Sequence, residues 1–238
     1  MKLLKAVFAG SVLLFNTYLH SQTADEVVNK HINAIGGKAV LNSIKSQVTE
    51  SELSVMGSDL TSKTTILVGK GFKNVANFNG QEIIQCITPT GGWMINPLAG
   101  QTDPTPLPED QVKAAQSALD IGGDLFNYKE KGSKVELAGN ETIEGVNAIM
   151  LKLTNKEGKD IWYYIDPSTY YIVKRESTSN TGGQDITATS IFSNYKKTDI
   201  GLVMPYTTVV NQGFEMTINI TKIEFNKEVD PKIFEMPK

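Results

Sequence analysis

The sequence predicts a mainly β protein with helices (α+β), built as one large curved antiparallel sheet that wraps its helices or a ligand on the concave side. Three observations lead there. From Val48 onward, short runs rich in β-branched residues recur roughly ten times, bounded by Gly, Asn, Ser or Asp. The connections between them are hairpin-length, so neighbouring strands run antiparallel. In "DIWYYID" and "NAIMLKL", both alternating faces carry apolar residues, so both faces of the sheet need cover.

The chain opens on a segment expected to lie outside the fold. Lys2 and Lys5 form a basic start, and Ala6 to Phe15 form an apolar core of about ten residues, as in a secretory signal peptide. A membrane-spanning helix needs roughly 20 apolar residues, and no other segment supplies them. Cleavage after Ser21 is expected, leaving residues 22–238 as one domain, a natural size for a single β unit. No cysteine stands near that point, so a lipid-modified N-terminal cysteine is not expected. The mature chain is expected outside the cytoplasm.

"KHINAIGGKAVLNSIKS" follows. Thr23 or Asp25 can N-cap a helix in which Val27, Val28, His31, Ile32 and Ile35 recur at helical spacing. Gly36 then suits the position just past the helix end, where a positive φ is free of steric cost. A second short apolar pattern, Val40, Leu41 and Ile44, ends near Ser46. Phosphate-binding loops place glycines after a strand and before a helix; here a helix precedes Gly36-Gly37 and no GxxxxGK[ST] pattern exists. The glycine pair is a helix stop.

The first strands are "VTESELSVM", "LTSKTTILVGK", "FKNVANFN" and "QEIIQCIT". Pro89, Pro97, Pro104, Pro106 and Pro108 then crowd one region, which reads as an extended, semi-rigid loop without strand pairing. Pro108 and the acidic residues after it open a helix to Leu119, with Val112, Ala115 and Leu119 as a thin apolar stripe. A further helical turn is expected around "GGDLFNYKEKG". The second half is strands again, with "IDPSTY" as a turn begun by Asp166-Pro167, and "NKEGKD" and "NTGGQD" as hairpin connections.

Charge and rare residues narrow the function. Without Lys2 and Lys5 the net charge is −5, and Arg175 is the only arginine, so the basic footprint of a nucleic-acid binder is missing. Cys86 is the only cysteine; it makes no intramolecular disulfide and reads as a buried, inert thiol. His31 is the one histidine of residues 22–238 and reads as a packing residue. One histidine and one thiol do not make a zinc site or a nucleophile–base pair. Glu50 and Glu52, or Asp120 and Asp124, read as a solvated strand face and a helix end. No catalytic residue, metal site or cofactor is expected, and the protein is not expected to be an enzyme.

Several segments in order carry a resemblance. "ADEVVNKHINAIGGKAVLNSIKS", "GGWMINPLAG" running on to "PLPEDQ", "YYIDPSTYYIVK" followed by "FSNYKKTDIGLVMPY", and the closing "EFNKEVDPKIF" resemble exported Bacteroidetes-type proteins similar to the LolA/LolB/LppX outer-membrane lipoprotein-sorting superfamily. The resemblance spans Thr23 to Pro237. It implies an unclosed antiparallel β half-barrel, about 10–11 strands around a few short helices. It also implies a periplasmic location, and a cavity that holds lipid or lipoprotein acyl chains. The same module also accompanies zinc peptidases of the M16 type; with neither HxxEH nor HExxH, this chain could match only their non-catalytic companion, an envelope protein–protein interaction module. Carriers of this kind use an arginine inside the barrel to hold the lid backbone, a role that is not carried over to Arg175, the only arginine, in "YYIVKRE".

On that reading Trp93, Met150, Trp162, Tyr164 and Phe192 line the acyl-binding cavity, and the helix bearing Val112, Ala115 and Leu119 is its lid. The same residues equally satisfy an ordinary strand core and a plain surface helix. The expected protein is a monomeric periplasmic carrier or binder of acyl-chain ligands that performs no catalysis.

Overall fold

The computed structural model describes residues 22–181 and 184–237; the expected leader, residues 1–21, and the Gly182-Gly183 centre of "NTGGQD" lie outside them. The first helix, α1 (Ala24–Ala34), starts where the sequence places it. Thr23 is the N-cap, and its hydroxyl and the Glu26 carboxylate satisfy each other's backbone N–H in a capping box. Gly36 follows with φ 124°, and α2 (Gly37–Ser43) begins at once. A Cβ on Gly36 would lie 2.8 Å from the carbonyl oxygen of Gly201, and the Val203 N–H donates to Ile35 O at 2.9 Å. The glycine therefore lets the helix corner press against a later strand.

Among the described residues, thirteen strands, against the ten or so expected, form one antiparallel sheet. The first group is β1 (Ser46–Val55), β2 (Ser58–Leu67), β3 (Gly71–Phe78), β4 (Gln81–Thr88), β5 (Gly91–Asn96) and β6 (Gln101–Pro106). The second is β7 (Lys134–Ile143), β8 (Val146–Thr154), β9 (Asp160–Ile165), β10 (Ile172–Thr181), β11 (Gln184–Lys197), β12 (Val203–Asn211) and β13 (Glu215–Phe225). Their order in the sheet is β6-β5-β4-β3-β2-β1-β13-β12-β11-β10-β9-β8-β7. Two meanders are thus joined by β1 against β13. β6 and β7 stay unpaired to each other, so the half-barrel is unclosed.

The proline-rich region corrects one expectation. It holds β5 and β6 instead of an unpaired loop. β6 is an edge strand, where Pro104 and Pro106 need no second partner, and Pro97 opens a 3-10 turn. The helix expected from Pro108 to Leu119 is also shorter. α3 (Glu109–Ala114) ends at Ala115, and a 3-10 turn takes Gln116–Leu119. Residues 121–132 are a run of turns, one of them closed by the Lys131 N–H on Asn127 O.

Residue alternation sorts the core as read from the sequence. Ile149, Leu151 and Leu153 of β8 and Ile161, Tyr163 and Ile165 of β9 pack with Val27, Val28 and Ile32 of α1, Leu41 of α2, and Leu125, Phe126 and Tyr128 of the segment between α3 and β7. Ala148, Met150, Trp162 and Tyr164 point the other way and cluster with Ile143 and Ile191. Both faces of β8 and β9 are covered, by different residues.

Candidate ligand-binding face

Cross-strand partners in an antiparallel sheet share a face, so the register shows what lies beside the core. One rung runs Leu151–Tyr163–Arg175–Ser190–Val210–Met216–Val55, from β8 to β1. Leu151 and Tyr163 belong to the helix-packed core, so Val210, Met216 and Val55 lie on the helix-bearing face. A second rung there is Phe192–Thr208–Ile218–Leu53–Leu60. These residues are half-buried. Among the described residues, Leu53, Val55, Leu60, Phe192, Val210, Met216 and Ile218 belong to none of the three apolar clusters. The result is an apolar strip across β11, β12, β13, β1 and β2, continuous with the core but without a helix of its own.

The sequence-predicted lining residues do not converge. Phe192 lies on this strip. Met150, Trp162 and Tyr164 come together, but on the opposite face: Met150 pairs with Tyr164, Tyr164 with Lys174, Lys174 with Ile191, and Ile191 with Val209, all one residue out of step with the strip. Tyr164 is buried there and donates to Glu176 at 2.7 Å, with the Lys174 ammonium 4.4 Å from its ring centre. Burial, with Glu176 alongside, holds that hydroxyl above the usual phenol range.

Trp93 is also opposite the helices. It pairs with Cys86, Cys86 with Lys73, Lys73 with Thr65 and Thr65 with Val48, again out of step with Leu53 and Val55. The C-terminal 3-10 turn, Pro231–Phe234, fills the space above it. Phe234 O accepts from Trp93 Nε1 at 2.9 Å and from Cys86 Sγ at 3.2 Å, and the Phe234 ring lies where a Cβ on Gly71 would stand. Trp93 is 3% exposed, so its surface is spent on that contact. Desolvation pushes the Cys86 thiol up to about 11, which keeps it protonated.

The residues expected to form a lid sit on β2–β5. Val112 and Leu119 are buried and Ala115 is half-buried. Gly69 N–H donates to Leu119 O at 3.0 Å, and Gln116 Nε2 to Thr88 O at 3.1 Å. That pins the α3 segment to strand ends near α2, where Val68 N–H meets Lys45 O at 3.0 Å.

The element that borders the strip is the turn segment after it. Asp124 accepts from the buried Tyr163 hydroxyl at 2.8 Å, and Arg175 Nη2 stands 3.4 Å from the same carboxylate oxygen. Arg175 also reaches Ser177 Oγ at 3.3 Å. Burial drives the Tyr163 hydroxyl far above its ordinary range, so it serves as a donor at all relevant pH. Sequence reasoning left Arg175 without a role. It faces the helices and meets a side chain of the crossing segment, at the boundary between the packed core and the strip. The signal for the strip itself was present in "ELSV" and "EMTINI", where apolar residues alternate with polar ones on the two strands that join the meanders.

Two open recesses, about 520 and 550 Å³, lie over β13 and β1–β4, lined mainly by polar residues including Glu50, Glu52, Lys63, Asn77 and Glu82, with Leu53 and Leu60 also at the second. His31 is buried in α1 with Nδ1 2.8 Å from Tyr170 O, and its desolvation lowers its pKa. Among the described residues no group of three or more His, Cys, Asp or Glu side chains is placed to hold a metal ion, and no helix is long and apolar enough to cross a membrane.

No protein-family model matches the chain. No curated protein matches it in sequence either. Solved structures do match it in shape. A LolA superfamily protein from Nitrosomonas europaea superposes with a TM-score of 0.60 at 14% identity, covering 90% of this chain and 98% of that one. A domain of an outer membrane lipoprotein-sorting protein from Vibrio parahaemolyticus gives 0.56 at 15% identity, covering 89% and 97%. A DUF1329 family protein from Desulfovibrio piger gives 0.57 at 12% identity, covering 90% and 98%. The chain has the LolA-like fold, an open antiparallel half-barrel carrying a few short helices.

Proposed function

We propose that this chain is a non-catalytic periplasmic carrier or binder of acyl-chain ligands, exported by its N-terminal leader, and that the ligand lies along the apolar strip of the helix-bearing face. The observation that carries this reading is the strip: Leu53, Val55, Leu60, Phe192, Val210, Met216 and Ile218 form one half-buried apolar surface with no helix of its own. Contiguous apolar surface of this kind marks a binding site in a folded protein. Alternate polar positions such as Thr208 and Ser190 leave few fixed hydrogen-bonding groups, which suits a long hydrocarbon better than a polar metabolite. The LolA-like fold supports the same class of ligand. The test is native mass spectrometry of protein purified from an envelope extract without detergent. A discrete added mass identified as an acyl lipid is expected; a clean mass that persists after incubation with lipid vesicles overturns the reading.

One observation favours a second reading. The strip is open, so a partner protein's apolar element fits it as well as an acyl chain does. In that case the chain is a docking module of the cell envelope, and the clean mass spectrum is its expected result.

A further inference from the structure

We infer that the end of the half-barrel remote from α1 and α2 is an apolar rim that seats on a bilayer surface through Met56, Phe214 and Ile186. The inference rests on the acyl-ligand reading for its purpose, but its geometry is independent. Met56, at the tip of the β1–β2 turn, is 83% exposed with φ 50°. Phe214, at the tip of the β12–β13 turn, is 41% exposed beside Gly213 at φ 94°. The two tips are neighbours, because Val55 pairs with Met216 and Asn211 with Glu215. Ile186 is 38% exposed on β11. The last β11–β12 pair at that end is Thr189 with Asn211, so residues 184–188 run on past β12, by about 17 Å at strand rise.

The rim continues the strip. Met56 follows Val55, Phe214 precedes Met216 by two residues, and Ile186 shares a face with Ala188 and Ser190. The apolar positions of the strip therefore lead toward this end. The three side chains stand on separate hairpins at different heights, which a fluid lipid interface accepts and a matched protein surface does not. An acyl ligand must also be collected from a lipid phase, since water does not dissolve it. Charge selects the kind of surface. The three apolar tips themselves carry Asp59, Asp185 and Glu215 and no Lys or Arg, the nearest cations of that end being Lys156, paired with Glu157, and Lys159 on the β8–β9 turn, so the tips are repelled by anionic headgroups. The rim fits a zwitterionic bilayer.

The test is flotation of the intact protein with phosphatidylethanolamine–phosphatidylcholine vesicles, with and without phosphatidylglycerol. Binding to the neutral vesicles is expected, weakening as phosphatidylglycerol is added. The double variant M56S/F214S should float about tenfold less while its far-UV spectrum and its binding of a fluorescent fatty acid in solution stay unchanged, because both side chains are exposed. Equal flotation of variant and wild type, stronger binding to anionic vesicles, or flotation only when a membrane protein is present overturns the inference. Rim-dependent flotation without fatty-acid binding supports the rim and defeats the strip; fatty-acid binding without flotation does the reverse.

Discussion

The Arg175 guanidinium and the Asp124 carboxylate meet at 3.4 Å, on the oxygen that also accepts the Tyr163 hydroxyl at 2.8 Å. Arg175 belongs to β10 and Asp124 to the segment that links the two open edges, β6 and β7. The contact therefore ties the crossing segment to the floor of the sheet, beside the apolar strip. A half-barrel has no closing hydrogen bonds between its edges, so side-chain ties of this sort hold what crosses it.

Removing one partner should loosen that segment. Arg175→Gln leaves Asp124 without its cation and should cost roughly 1–3 kcal/mol, between the values for exposed and buried pairs. Hydrogen exchange over residues 120–133 should quicken while α1 stays protected. Unchanged exchange in that stretch would show that Leu125, Phe126 and Tyr128, all buried in the core, hold it alone.

His31 makes the fold acid-sensitive. Burial holds the ring below the ordinary imidazole range, with the bond to Tyr170 O opposing it in part. The unfolded chain then binds the proton first, so stability is complete above about pH 6.5 and falls as pH drops toward the lowered folded value. A His31→Gln variant should lose that slope between about pH 6.5 and 5, above the range where carboxylates titrate. Urea midpoints measured at both pH values check it, and a slope that survives the substitution overturns it.

The C-terminal turn should behave as a cover for Cys86 and Trp93. Phe234 is 4% exposed, so Phe234→Ala should cost about 3–5 kcal/mol. It should also let a thiol reagent reach Cys86 under native conditions, where the wild-type thiol, pushed up to about 11, stays silent. Silence in both proteins at matched stability would mean that the cover lies elsewhere.

Gly36 carries two constraints at once, a φ of 124° and the approach of Gly201 O. Gly36→Ala should therefore destabilise by about 1–3 kcal/mol, the usual size of a strained backbone site. In a domain of this size that lowers the melting temperature by several degrees. Gly37→Ala is the control, since it has a positive φ but open space around a Cβ.

Local chemistry made much of the fold legible. The N-cap, offered as Thr23 or Asp25 and taken by Thr23, the glycine at the helix corner and the double apolar alternation of "DIWYYID" each act within a few residues, and the structure has all three. Pro104 and Pro106 misled because their effect depends on which side of a strand stays unpaired, and that is decided by the sheet edge. The candidate binding face was the harder part. Aromatic type pointed to Trp93, Trp162 and Tyr164, but the face each occupies follows from register across strands far apart in sequence. Trp93 is enclosed by Phe234, 141 residues later. The strip uses plainer residues, Leu53, Val55 and Ile218, whose alternation with polar neighbours looked like any half-solvated strand.

The strip gives the most direct test of function. Leu53 and Ile218 are cross-strand partners at its centre, both half-buried and outside the apolar clusters. Replacing Ile218 by Gln removes apolar contact with a ligand but should cost the fold under about 1 kcal/mol, since the side chain already meets solvent. If a hydrocarbon chain lies there, losing one aliphatic anchor of about 1.5–3 kcal/mol should weaken fatty-acid binding roughly 10- to 100-fold. Trp162→Gln, on the opposite face, should leave that affinity unchanged while destabilising the protein. The two variants therefore move in opposite senses, and titration of each with the same fluorescent fatty acid separates a site on the helix-bearing face from one on its reverse. Loss of affinity in the Trp162 variant alone would place the ligand on the Met150–Tyr164 cluster instead.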